Sequence, residues 1–327
     1  TVNALPVAPN SGGNVTACSN ATTTTLSAIA PSGCTIDWYS NINGTGTPLA
    51  SGTSNYSFAP SSVAGVYTYY AFSRNTSTGC MSANGTAILL TVYQAPAPPV
   101  SATTAFTYCE GANATQLTAT PLSGNTLNWY SGTLGSTPSS TAPTPSTATN
   151  SGSPFTFYAT QVSGTNGCQS NATTFTVTVN NTPAAPVLAA TSATSGFSIN
   201  PQGTISYCQG ATTYPLWATG LSSNLLNNPG SSQQYWYYTS PTGSGGQTST
   251  SPIPSSATAG AMTYYVSRQN TTTLCEGART PLIVVINPSL TPVVAISATS
   301  TSVCSGGAIT FTATPTNGGP TPTYQWY

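Results

Sequence analysis

The chain has 327 residues, of which 2% are charged, and three arginines balance three carboxylates to a formal net charge of +0. With no lysine and no histidine, it sets up no field to steer nucleic acid or an anionic lipid surface towards it. It also lacks the groups that titrate near neutral pH and do general acid–base work. Low charge with abundant Ser, Thr, Gly and Pro can mark a disordered chain. Here 38% of the residues are hydrophobic and they fall in alternating runs, so a folded, all-β chain is expected.

The opening residues Thr1-Val2-Asn3-Ala4-Leu5-Pro6 match Thr178-Val179-Asn180-Asn181-Thr182-Pro183, so 1–2 read as the tail of a preceding repeat. A first repeat, 3–93, runs from Cys18 to Trp38-Tyr39, then to the aromatic run at Thr68-Tyr69-Tyr70, to Cys80, and to the alternating strand Ala87–Val92. The same order returns in 94–180 with Cys109, Trp129-Tyr130, Thr156-Phe157-Tyr158, Cys168 and Phe175–Val179. In that repeat strands are predicted over 116–120, 127–130, 155–162 and 175–179. A third repeat, 181–287, has Cys208, Trp236-Tyr237, Tyr264-Tyr265 and Cys275, with a polar loop insertion near 221–234. The segment 288–327 is a partial fourth repeat with Cys304 and Trp326-Tyr327. Repeats join at Gln94–Val100, Asn181–Val187 and Asn287–Val293, where proline fixes φ and withholds a donor, making semi-rigid links.

Each repeat is the size of one small β-sandwich, and the Trp pins its core with the following Tyr on the opposite face. The motifs Cys109-Glu110-Gly111, Trp129-Tyr130, Phe157-Tyr158-Ala159 and Gly167-Cys168 stand in repeat two. Cys208-Gln209-Gly210, Trp236-Tyr237, Tyr264-Tyr265-Val266 and Leu274-Cys275 stand in repeat three. This pattern resembles the Ig-like tandem repeats of large secreted cell-surface adhesins and filament proteins of the Bacteroidota. Repeat one departs from it, with Cys18-Ser19-Asn20 in place of the glycine. The resemblance implies tandem immunoglobulin-like β-sandwich domains in a rod-like array, exported to the cell surface as stalks or filaments.

Eight cysteines in such a chain argue for disulfides. One bond per repeat gives Cys18–Cys80, Cys109–Cys168 and Cys208–Cys275, with Cys304 awaiting a partner beyond Tyr327. Cys34–Cys80 is the rival in repeat one. In an immunoglobulin topology the two cysteines of one repeat lie at opposite ends of the sandwich, so bonds between adjacent repeats stay open too.

No metal site is expected, as there is no His, no C-x-x-C and no carboxylate cluster. No cofactor or catalytic group is expected either: Asp37, Glu110 and Glu276 stand apart, Asp37 as a solvated strand residue and the glutamates in surface loops. Ten sequons, at Asn14, Asn20, Asn43, Asn55, Asn75, Asn84, Asn113, Asn171, Asn180 and Asn270, are candidate glycan attachment sites, at a frequency near chance for so Ser/Thr-rich a chain. Two functions compete. One is a disulfide-stapled structural shaft whose partners are neighbouring repeats, further copies in a filament, or surface glycans, with no nucleic acid and no membrane insertion. The other is a carbohydrate-binding module that stacks sugars on Trp217, Tyr235, Tyr237 and Tyr238, the surplus aromatics of repeat three.

Overall fold

The computed structural model describes residues 2–186, 198–199, 204–216 and 232–327. The chain forms two compact units, Thr1–Asn180 and Asn181–Tyr327. Trp217 and most of the 221–234 insertion lie outside the described residues. The described residues contain strands and turns and no helix.

In repeat one, β1 (Asn10–Ser11), β2 (Val15–Cys18), β3 (Thr24–Ile29), β4 (Cys34–Tyr39), β5 (Asn55–Phe58), β6 (Gly65–Asn75) and β7 (Thr86–Tyr93) form two sheets. Their orders are β1-β3-β5 and β2-β7-β6-β4. All neighbours are antiparallel except β2 and β7, which run parallel. Successive strand residues point to opposite faces, so β7 buries Ile88, Leu90 and Val92 together. They meet Leu26 and Ala28 of β3, Ile36 and Trp38 of β4 and Ala71 of β6 in one core. Each such aliphatic contributes about 2 kcal/mol by leaving water, and one charge among them would break the sandwich. Trp38 is 0% exposed, and its indole N–H donates to the Thr53 carbonyl at 3.0 Å. Tyr67, at the start of β6, donates to the Val63 carbonyl at 2.9 Å, which is a tyrosine corner.

Repeat two keeps one full sheet, β8-β11-β10-β9, built from β8 (Ala105–Cys109), β9 (Asn125–Ser131), β10 (Phe155–Ser163) and β11 (Thr173–Asn180). Trp129 lies 5.4 Å from Phe175 in its core. The strand expected over 116–120 is an extended segment instead, paired only where Thr120 meets Val100. Leu117 and Gln116 bond the carbonyls of Pro143 and Ala142. Prolines 138, 143 and 145 in the facing loop have no N–H to donate, so no ladder forms. Leu117 still reaches the core, at 1% exposed.

Repeat three orders β12 (Ser198–Ile199), β13 (Thr204–Cys208), β16 (Thr280–Asn287), β15 (Gly260–Asn270) and β14 (Gln233–Tyr238) in one sheet. Its register corrects the expectation for the aromatic pair. Trp38 opposes Ala71 and Trp129 opposes Ala159, but Val266 is opposed by Tyr237, with Trp236 opposite Ser267. Tyr237 also makes the cross-loop bridge that Trp38 and Trp129 make, here to Thr248. A shift of one residue exchanges the faces of a strand. Tyr237 is therefore the core pin, and Trp236 lies half-buried on the other face, donating to Gln269 at 2.7 Å. After it, β17 (Val293–Ala298) and β18 (Phe311–Thr316) form an antiparallel hairpin.

The tyrosine after each core pin is buried as well: Tyr39 is 4%, Tyr130 5% and Tyr238 1% exposed. Each sits in a small cluster on the outer face of its sheet, and the clusters differ in chemistry. Tyr39 meets the edge of Phe72 at 5.5 Å. The Tyr130 hydroxyl accepts from Gln169, which also donates to Thr160. Arg279 lies 3.2 Å over the Tyr238 ring and pairs with Glu276, which accepts from Ser267.

Two expectations about charged residues are overturned here. Asp37 is 2% exposed, not solvated. Loop 40–53 covers it, Gly52 N–H donates to it, and the Arg74 guanidinium lies 2.5 Å away. Glu276 is likewise half-buried in its ion pair, not a free loop residue.

Candidate functional site at the repeat junction

Every repeat presents its first cysteine in one kind of turn and its second in another. The first-position cysteines Cys18, Cys109 and Cys208 end strands paired in parallel with the last strand of the repeat, opposite Tyr93, Asn180 and Asn287. Each carbonyl then accepts the N–H three residues on: Ala21, Ala112 and Ala211, and likewise Gly307 after Cys304. The second-position cysteines follow a tight turn at the far end of the neighbouring strand. Asn75, Ser163 and Asn270 each donate to the carbonyl of Cys80, Cys168 and Cys275 at 2.9 Å. Gly79 and Gly167 occupy the left-handed region of this turn at φ 72 and 71, where glycine costs least. Leu274 is forced there at φ 60.

These two turns sit at opposite ends of each sandwich, which rules out the one-bond-per-repeat scheme. In repeat two, Cys109 pairs with Asn180 at the end of β11, while Cys168 precedes Thr173 at its start. Seven residue steps separate those ends by about 23 Å, whereas a disulfide needs its Cα atoms roughly 5.5 Å apart. Cys18–Cys80 and Cys109–Cys168 are therefore not formed. Instead Cys18 of repeat one is bonded to Cys168 of repeat two, with Cα atoms 5.6 Å apart. Cys109 takes part in a disulfide, and so does Cys275, whereas Cys34, Cys80, Cys208 and Cys304 are free thiols. Cys208–Cys275 is therefore not formed, and neither is Cys34–Cys80.

Polar contacts surround the staple. Asn20 Nδ2 donates to the Gln169 carbonyl at 2.9 Å and to Asn171 Oδ1 at 3.4 Å. The glycine missing from repeat one is thus replaced by a side chain that reaches repeat two. Gln169 is itself held by Tyr130 and Thr160, so the junction rests on the outer-face cluster of repeat two.

The proline-rich link is tied down on both sides. Ala95 N–H donates to Ser19 Oγ at 3.1 Å on repeat one. On repeat two, Gln161 donates to the Ala97 carbonyl at 2.6 Å and Thr173 to the Pro99 carbonyl at 2.5 Å. Gln161 is 0% exposed and also accepts from Leu122 N–H and Asn125. The threonine clamp recurs as Thr86 on Pro9 and Thr280 on Pro186. In repeat three the link is packed so closely that a Cβ on Gly277 would lie 2.0 Å from the Pro183 carbonyl oxygen. Ser82 and Ser170 occupy the corresponding place elsewhere, each donating its N–H across to the neighbouring strand as Gly277 does.

A family model described as "Ig-like domain CHU_C associated" matches residues 6–93 and 96–181. The chain belongs to this family. The match to the CHU_C-associated Ig-like domain comes twice in tandem, and the staple joins the two copies it covers. No curated protein matches the chain. Among solved structures it is similar to Sidekick-1 immunoglobulin domains 1-5, at 14% identity over 89% of this chain and 61% of that one, with a TM-score of 0.20. It is also similar to the N-terminal four Ig domains of Dscam1 isoform 4.4, at 11% identity over 87% and 73% and a TM-score of 0.21. Chicken CNTN1 FN1-FN3 domains give 9% identity over 86% and 98%, with a TM-score of 0.26. At such identities and scores these likenesses have no bearing on function.

Among the described residues, the tyrosines expected to stack on sugars are withdrawn from solvent. Tyr237 and Tyr238 are 2% and 1% exposed, and Tyr235 is half-buried and packed against Tyr237. Burial pushes the Tyr237 phenol up to about 12, with Ser251 hydrogen bonding in the opposite sense. The sequons divide by setting. Asn14, Asn43, Asn55, Asn84, Asn113 and Asn171 are exposed. Asn75 and Asn270 are half-buried, and their side-chain carbonyls accept the turn N–H groups of Ser77 and Thr78 and of Thr272 and Thr273. Asn180 is half-buried at the end of β11, and Asn20 is engaged at the junction. Sequence reasoning missed Asn20, Gln161 and Gln169 as junction residues. The departure from glycine at position 20 was the one signal that pointed there.

Proposed function

We propose that this chain is a length of load-bearing shaft in an extracellular adhesin, stalk or filament of the Bacteroidota kind. The observation that carries the reading is the position of the Cys18–Cys168 bond. A small domain that needs stability closes a bond within itself, whereas a bond across the link holds neighbours in one orientation. The hydrogen-bonded link does the same without covalent chemistry. Disulfides persist in oxidising surroundings, which supports placement at the cell surface. A coat of glycans on the exposed sequons belongs to the same reading. No helix among the described residues is long and apolar enough to cross a membrane.

Electron microscopy of single molecules with and without reductant tests this reading. The angle between repeats one and two should be narrowly distributed in the oxidised protein and broaden on reduction. Equal distributions would remove the stiffening role.

A further inference from the structure

We infer that Cys80 and Cys208 are the open ends of a staple line, each built to bond a further Ig-like repeat. The inference extends the shaft reading and rests on it. Cys18–Cys168 defines the rule: a first-position cysteine joins a second-position cysteine of the repeat that follows. Cys80 stands in the same turn as Cys168, with the same Asn75 and Ser163 hydrogen bonds at 2.9 Å. Cys208 stands in the same turn as Cys18, closed by Ala211 at 3.1 Å where Ala21 closes it at 3.0 Å. Both are thiols and at least partly accessible. The rule sends Cys80 to a first-position cysteine of a repeat on its N-terminal side, but Cys18 is occupied and Cys34 starts β4 opposite Asn75, in neither turn. It sends Cys208 to a second-position cysteine of a repeat on its C-terminal side, where this chain has only Cys304, of the first-position kind.

The partner of each is therefore the complementary turn of another repeat of this architecture, in the same polypeptide or in a second copy. Bond formation removes two protons and two electrons from the thiol pair. A dithiol–disulfide donor takes them up as its own disulfide opens to two thiols. Cys34 stands opposite Asn75, whose N–H donates to the Cys80 carbonyl, and it is the competing thiol that can trap a mispaired bond.

Peptide mapping of the native protein under non-reducing conditions tests this, with free thiols alkylated first. Pepsin suits a chain with three arginines and no lysine. Cys80 should be joined to a peptide of the Cys-x-Asn or Cys-x-Gly kind, and Cys208 to one in which the cysteine follows a turn like Ser163–Gly167. A partner peptide from outside residues 1–327 identifies a further repeat, and one from within them identifies a second copy when the joined species runs at twice the mass of the reduced chain on a non-reducing gel. Cys80 joined to Cys34, or both thiols alkylated in protein whose Cys18–Cys168 bond is intact, overturns the inference. A Cys34→Ser variant should keep the Cys80 linkage, and its loss there would also count against the rule. Shaft stiffness between repeats one and two does not depend on either thiol, so the microscopy above can succeed where this fails.

Discussion

Asp37 and Arg74 show how one repeat solves locally what its neighbour solves differently. The carboxylate is buried and takes both Gly52 N–H and the guanidinium, and that bond holds the Arg74 pKa above its ordinary value. Repeat two has Asn128 at the same ladder position. Arg74→Ala leaves a buried charge without its partner and should cost about 2 kcal/mol, below the fully buried range because Arg74 is partly solvated. Asp37→Asn keeps the acceptor for Gly52 and should cost less, about 1 kcal/mol. Urea midpoints of the two variants check the order, and a reversed order would show that the charge pair itself carries little. The tyrosines of repeat three make a second prediction at this scale. Tyr207, Tyr235, Tyr238 and Tyr264 are all raised, mainly by burial, and Tyr237 reaches about 12. A folded pKa above the unfolded value of about 10 means that the neutral phenol is the form the fold selects. The resulting stability is full below pH 10 and is lost as pH rises towards 12, with Tyr237 alone contributing on the order of 2–3 kcal/mol. The tyrosinate absorbance that these buried phenols contribute should therefore rise together with the loss of circular dichroism over that interval, and ionisation of these phenols ahead of unfolding would contradict the burial.

The turn before each second cysteine is the element that places the staple, and it carries a strain in one copy. Leu274 holds φ 60 where Gly79 and Gly167 hold 72 and 71, and it is 64% exposed, so its side chain returns little packing. Leu274→Gly should stabilise repeat three by about 1 kcal/mol, read as a raised thermal midpoint. Destabilisation would mean that the leucine packs in a way its exposure does not suggest. The strands were legible from sequence because their period of two is a direct consequence of backbone geometry. The registers were not. Trp236 looks like Trp129 in the sequence, yet the third strand slides by one and gives the core to Tyr237. Only the opposing strand decides which of two adjacent aromatics turns inward. Strand 116–120 failed for a similar reason, since its ladder depended on prolines in a loop 26 residues along the chain.

The fold class follows from alternation and repetition, and at the scale of the molecule the chain could be read correctly as tandem sandwiches. The disulfide pattern could not be read from spacing, because spacing counts residues along the chain while bonding needs ends of strands to meet. Order along the sheet puts the two cysteines of one repeat at opposite ends, and the link then brings Cys18 to Cys168. That geometry fixes what the bond does for stability. It closes a loop across a sequence separation of 150 residues, worth about 5 kcal/mol against the unfolded chain in the loop-entropy account. The closed loop includes most of both repeats and the whole link. Cutting it should therefore lower the stability of repeats one and two together, unlike a bond inside one repeat, which protects that repeat alone. In Cys18→Ser/Cys168→Ser protein, calorimetry should show the transitions of repeats one and two both shifted down and separated from each other. Gln161→Leu, which strips the Ala97 carbonyl and Leu122 N–H of their partner, should separate them further. If the paired serine variant moved only one of the two transitions, the bond would be acting as a local brace and the coupling of neighbours would have to come from the link.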